Sequence, residues 1–241
     1  MKRFLSIFVV STLLIACGGG GDGQVVKTSE DCFNEGFLRT GMQISVQKDF
    51  RVNNGESYKK QEHYTVSRSV SKNGVLEATV SGPNFVDAFF SWENGVLKEH
   101  KRESAKVFLS VHDMVPPKEF PVKMEVGQTV RQHYLVNSRW TNPSGAFSSV
   151  ADGAESRTYI GREVVATPLG AFEVCRFKIN EKLIVSGENQ SSTDEEKTLW
   201  IVAGGIYRGL LLKSESSMSV STGERSTTVM EVSKVDAFNV N

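Results

Sequence analysis

Two Asn-Gly dipeptides, Asn73-Gly74 and Asn94-Gly95, each separate two runs of alternating side chains, and they constrain this chain more than any other feature. A two-residue hairpin loop needs φ > 0 at both central positions, which Asn and Gly tolerate best. The flanking runs have a period of two rather than that of a helix. Met42, Ile44 and Val46 alternate with Gln43, Ser45 and Gln47. Tyr64, Val66 and Val70 share a phase opposite His63, Thr65, Ser67 and Ser69, and Val130, Gln132, Tyr134 and Val136 alternate again. Further turn chemistry falls at Asn142-Pro143-Ser144-Gly145, Thr167-Pro168-Leu169-Gly170, Ala203-Gly204-Gly205 and Thr222-Gly223. The pattern predicts roughly ten to twelve strands in an antiparallel sandwich or barrel.

A long helix is hard to place. Ser104–His112 is the best stretch for one, and it reads equally well as a strand. His112 to Lys123 carries Pro116, Pro117 and Pro121 and is expected to be a long connection between two halves of one sheet. Neither half has its own beginning or end, so one domain is expected. Phe85–Trp92 is apolar on both faces, with Phe85 and Phe89 on one side and Val86, Phe90 and Trp92 on the other; Leu199–Val202 and Ile206–Leu212 behave alike. Such strands must be covered on both sides. The expected fold is therefore all-β with at most a short helix: a single antiparallel, strongly curved sheet or half-barrel.

The N-terminus is an address. Lys2 and Arg3 precede the apolar stretch Phe4 to Ala16, which is too short for a bilayer span of about 20 residues and has the length of a signal-peptide core. Leu14-Ile15-Ala16-Cys17 resembles the lipobox of bacterial lipoprotein precursors. The resemblance implies cleavage between Ala16 and Cys17, diacylation of the Cys17 sulfur and acylation of the new amino group, with palmitate-like chains. A protein anchored in this way needs no transmembrane helix. Gly18 follows the cysteine where Asp would favour retention at the inner membrane, so the resemblance implies the periplasmic face of the outer membrane. Gly18 to Gly23 reads GGGGDG, formally G-x-G-x-x-G, but it lacks the strand before and the helix after that a dinucleotide site requires. The expected organisation is a signal peptide at 1–16, a lipidated Cys17 with a Gly-rich tether at 17–31, and a single β domain at 32–241.

With Cys17 lipidated, Cys32 and Cys175 are the two remaining thiols of an exported chain, and they are expected to pair as a disulfide. Thr167-Pro168-Leu169-Gly170-Ala171-Phe172-Glu173-Val174, followed by Leu199-Trp200-Ile201-Val202-Ala203-Gly204-Gly205-Ile206-Tyr207, is similar to the closing hairpins of exported bacterial proteins of unknown function. Those resemble the curved half-barrels of outer-membrane lipoprotein carriers. The likeness implies a fold and no chemistry.

Motifs for chemistry are missing. Lys and Arg number 28 against 28 Asp and Glu, so nothing favours a nucleic-acid partner. His63, His100, His112 and His133 form no ligand spacing, and neither a G-x-S-x-G elbow nor C-x-x-C occurs. Adjacent His112 and Asp113 point to opposite faces of an extended chain. No catalytic residue, metal site or cofactor is expected. The remaining candidates are Phe90, Trp92 and Trp200, as the lining of an apolar groove on the concave face. The sequence thus suggests a non-enzymatic outer-membrane lipoprotein that binds a hydrophobic ligand or lipid-like group. The alternative is a structural or assembly lipoprotein that docks another envelope protein.

Overall fold

The computed structural model describes residues 27–53, 55–82, 85–104, 109–142, 145–186 and 190–240. Cys17, the expected signal peptide and most of the expected tether lie outside the described residues. Twelve strands follow one another: β1 (Gln43–Val52), β2 (Glu56–Lys72), β3 (Val75–Gly82), β4 (Phe85–Glu93), β5 (Val96–Ser104), β6 (Leu109–Pro121), β7 (Thr129–Asn142), β8 (Gly145–Thr167), β9 (Gly170–Val185), β10 (Ser191–Val202), β11 (Leu211–Val220) and β12 (Arg225–Asn239). Each pairs antiparallel with its sequence neighbours, and β1 pairs with β12, so the sheet closes into a barrel. Closure goes beyond the expected half-barrel and removes both free edges. Among the described residues the only helical elements are 3-10 turns at Ser29–Cys32, Glu35–Leu38 and Gly205–Tyr207.

The hairpin signals act as their chemistry dictates. Asn73 and Gly74 have φ of 53° and 79°, and Asn94 and Gly95 have 49° and 73°. Both loops are therefore left-handed at both centres, which suits the right-handed twist of the flanking strands. Pro143 and Ser144 of the Asn142–Gly145 turn lie outside the described residues.

The proline-rich stretch is corrected from connection to strand. It belongs to β6, and its prolines interrupt the ladder with β5 rather than end it, while the ladder with β7 stops at Val115. Lys101 of β5 pairs with Asp113 and Glu99 with Lys118, so Pro116 and Pro117 fall within an irregularity. Proline has no N–H to donate, and a bulge is where a sheet tolerates it. Of the Ser104–His112 stretch, Ser104 ends β5 and Leu109 to His112 belong to β6, as its strand reading expects, while 105–108 lie outside the described residues.

Two buried clusters hold the barrel. One gathers Ile44 and Val46 of β1, Val80 of β3, Leu212 of β11 and Met230 and Val232 of β12. The other places Tyr159 and Phe177 beside Cys32, Cys175 and Met124. The Tyr159 and Phe177 rings lie 5.2 Å apart, and both side chains are essentially inaccessible. Complete burial of a side chain of this size contributes about 1.5–3 kcal/mol.

Candidate functional site

Side chains that project into the barrel divide into a charged region and an apolar one. In the charged region, Lys118 of β6 lies 2.6 Å from Glu155 of β8 and 2.7 Å from Glu181 of β9. Tyr134 of β7 donates to Glu181, Arg157 approaches Glu155 at 3.3 Å, and Lys197 reaches Glu195 at 2.6 Å. Contacts from β6 to β9 skip two strands, so these groups meet across the interior. Burial pushes the Glu181 carboxyl up, but Lys118, Tyr134 and Lys197 outweigh it and hold it below the usual range. Burial alone would lower Lys118, and Glu155 and Glu181 raise it instead. Each charge is paired, which is the condition for keeping ions out of water. Tyr134 reaches in because Gly153 faces it: a Cβ there would lie 2.6 Å from the ring. The motifs sought in the sequence do not bring these charges together. The available signal was parity, since Glu155 shares a phase with Ala151, Gly153 and Tyr159.

The apolar region is closed by the N-terminal segment. Ser29 donates its N–H to the Met124 carbonyl at 3.0 Å and its hydroxyl to the Val122 carbonyl at 2.6 Å, while its oxygen accepts from the Met124 N–H. Arg208 donates to the carbonyls of Asp31 and Phe33, each at 2.8 Å. Arg162 holds the Asp31 carboxylate at 2.5 Å and the Thr28 carbonyl at 3.0 Å. Lys27 pairs with Glu173 at 2.5 Å. Cys32 is joined to Cys175 of β9 by a disulfide with Cα atoms 6.0 Å apart. Among the described residues the chain is thus fastened to the barrel from Lys27 onward, because the barrel supplies donors for its carbonyls.

Behind this segment lies a cavity of about 360 Å³. The segment contributes Phe33, Phe37 and Leu38; β1 contributes Ile44, Val46 and Lys48; and Tyr64, Val80, Phe90, Trp92 and Leu97 line the facing strands. Volume and apolar lining are those of a small-molecule site. At the end of the inward row of β1, Lys48 lies 2.7 Å from Glu62 and donates to the Tyr64 hydroxyl at 3.1 Å, which donates to Glu62 at 2.6 Å. Lys60 reaches the same carboxylate at 2.8 Å. Burial pushes Glu62 up, yet Lys48, Lys60 and Tyr64 together bring it down to about 2. Burial, reinforced by Glu62, pushes the Tyr64 phenol up, so it stays protonated.

Phe90 and Trp92 therefore line the cavity, whereas Trp200, expected beside it, does not. Trp200 stands on the opposite face of β10 from Ile201, which does line it. Its indole N–H donates to Glu163 at 2.5 Å, and its ring lies beneath Lys213 Nζ at 4.7 Å and the Arg176 guanidinium at 5.6 Å. Long cationic side chains are the outer cover that a strand apolar on both faces requires, and Lys101 covers Phe89 of β4 in the same way at 5.1 Å.

The other sites are less able to bind a ligand. A depression of about 500 Å³ is lined by charges of both signs, Arg131, His133, Lys182, Asp194 and Glu196, together with Glu155 and Glu181 of the charged region. His100 meets Ser91 at 2.7 Å and His112 meets Ser138 at 2.8 Å, but both serines are buried and tie side chains across adjacent strands. Among the described residues no three His, Cys, Asp or Glu side chains gather to hold a metal ion.

Neither a protein-family model nor a curated protein matches the chain. Among solved structures, it is similar to a candidate exported protein with a YmcC-like fold from Bacteroides fragilis NCTC 9343. The identity is 12% and the TM-score 0.51, over 83% of this chain and 97% of that one. The hypothetical lipoprotein YmcC from Escherichia coli (K12) aligns at 9% identity and TM-score 0.38, over 80% of this chain and 87% of that one. A candidate lipoprotein from Parabacteroides distasonis ATCC 8503 aligns at 9% and 0.38, over 83% and 98%. The first likeness shows a shared fold; the other two carry no argument at those scores.

Proposed function

We propose that this protein is a non-enzymatic lipoprotein of the bacterial outer membrane, anchored through Cys17 on the periplasmic face, and that it binds a hydrophobic, lipid-like group inside its barrel. The observation that carries the binding reading is the cavity between Phe33 and Phe37 on one side and Phe90 and Trp92 on the other. An apolar guest there gains burial at about 25 cal/mol per Å² before the costs of association are subtracted. The envelope reading is supported by the lipobox-like Leu14-Ile15-Ala16-Cys17 and by the Cys32–Cys175 disulfide, a bond of oxidising compartments. The Bacteroides relative is also named as exported.

The test is titration with N-phenylnaphthylamine, an uncharged apolar dye that brightens on leaving water. The native protein should bind it saturably. Val80→Phe, which fills the cavity, should weaken binding at least tenfold while the melting transition stays cooperative. Absence of saturable binding, or equal binding by the filled variant, would overturn the reading.

A second reading has one observation of its own. Val115 of β6 and Leu135 of β7 face each other in register and are 53% and 44% exposed on the outer surface. This is the kind of place where a docked envelope protein would bury apolar area. Val115→Lys with Leu135→Lys should abolish such docking and leave dye binding intact.

A further inference from the structure

We propose that the cavity selects a single-chain amphiphile with one negative charge, its acidic head at Lys48 and its apolar tail toward the N-terminal segment. The inference rests on the cavity being a ligand site and adds the chemical class of the ligand.

The first observation is the lining. Among the described residues that line the cavity, Lys48 is the one charged side chain, and no acid lines it. The charge that faces the space is therefore the Lys48 ammonium, and its partner Glu62 does not line the cavity. The second is direction. Ile44, Val46 and Lys48 project inward in succession along β1, with Met42 beyond them at the N-terminal segment. At about 3.3 Å per residue, Met42 and Lys48 are separated by roughly 20 Å. An apolar run that ends on a cation has the polarity of a chain with an acidic head.

The third observation is that the counter-charge of Lys48 is shared. Glu62 accepts from Lys48, Lys60 and the Tyr64 hydroxyl together. Lys48 would therefore share its charge between Glu62 and a second anion, as Glu62 already shares its own between Lys48 and Lys60. The Tyr64 hydroxyl accepts from Lys48 and gives its proton to Glu62, so it holds both groups in place beside the same position. Size is the fourth. At the ~30 Å³ that a water or a methylene of similar bulk occupies, about 360 Å³ takes about a dozen such groups. One medium-length chain fits, and several acyl chains together do not.

Competition of the bound dye by dodecanoate, dodecyl maltoside and dodecyltrimethylammonium, at a pH where dodecanoate is ionised, tests the head group at constant tail. The native barrel should favour dodecanoate over the cationic probe at least tenfold, with the sugar head between them. In Lys48→Met that ratio should collapse toward one, and in Lys48→Arg it should persist. If Lys48→Met does not fold, the native ranking alone decides. Equal displacement by all three probes, or preference for the cation, overturns the acidic-head assignment while the cavity remains a ligand site. Failure of the dye itself to bind overturns the proposed function, and this inference with it. Lysophosphatidylglycerol with the same tail separates the sources: dodecanoate binding more tightly indicates a free acid, the reverse indicates a lipid head group, and either ranking supports an anionic head.

Discussion

The Phe37 ring occupies the space where any side chain at Gly209 would stand: a Cβ there would lie 2.6 Å from Phe37 Cε2. Gly209 also has φ +88°, in the left-handed region that L side chains avoid. One glycine thus lets the loop after β10 approach the segment that closes the cavity. Phe37 meets Phe238 at 5.7 Å, Phe238 meets Tyr207 at 5.4 Å and Tyr207 meets Phe172 at 6.1 Å, a relay that links the segment to β12 and β9. Gly209→Ala should cost about 1–3 kcal/mol through backbone strain and displacement of the ring. Urea unfolding measures it, and a loss below a few tenths of a kcal/mol would show that the loop relaxes freely.

The disulfide fastens the same segment. Cys32 and Cys175 are 143 residues apart, so removing the bond should cost at most about 4–5 kcal/mol in the chain-entropy account. The hydrogen bonds of Ser29, Arg162 and Arg208 remain when the bond is gone. Cys32→Ala with Cys175→Ala should therefore lower the denaturation midpoint clearly while the barrel still folds. Circular dichroism and urea midpoints of the double variant check both parts. An unchanged midpoint would mean that the polar contacts suffice alone.

Glu62 sets a pH dependence with a definite sign. Its carboxyl is held at about 2 in the fold against 4.5 ordinarily. Between those values the unfolded chain binds the proton and the folded one does not, so stability rises with pH. The contribution is complete above about 4.5 and is lost as pH falls toward about 2. Glu62→Gln should cost about 3 kcal/mol near neutrality, since Lys48 and Lys60 lose their shared carboxylate. The difference between native and variant midpoints should shrink on acidification, and a constant difference would refute the assignment.

Lipidation of Cys17 is tested on the mature protein. Mass spectrometry of its first residue should show acyl mass on cysteine, and Cys17→Ala should leave unprocessed precursor or a protein released from the membrane fraction. A mature N-terminus without acyl mass would remove the envelope anchor from the proposed function.

Much of the barrel was legible because its determinants are local. Asn73-Gly74 and Asn94-Gly95 specify their turns through the φ values that these residues accept, and alternation marks the strands between. Pro116 and Pro117 misled for a physical reason. Proline breaks a ladder, but whether a strand resumes beyond the break depends on the partner strand, here β5, which pairs again from Lys118 to Pro121. The charged interior was hidden because Lys118, Glu155 and Glu181 are tolerable only in each other's company, and they come from three strands.

The sequence by itself determined the strands, their hairpins, which side chains share a face, and the reading of Cys17 as an anchor. Only the tertiary structure decided which face is inward. Trp200 and Val202 share a face, as do Phe90 and Trp92, and parity treats the two pairs alike. In the folded barrel Ile201 lines the cavity, and Trp200 lies beneath Lys213 and Arg176. A period of two is symmetric under exchange of faces, and a slip of one residue reverses every side chain. A strand apolar on both sides carries no local signal to break that symmetry, so long-range pairing does so.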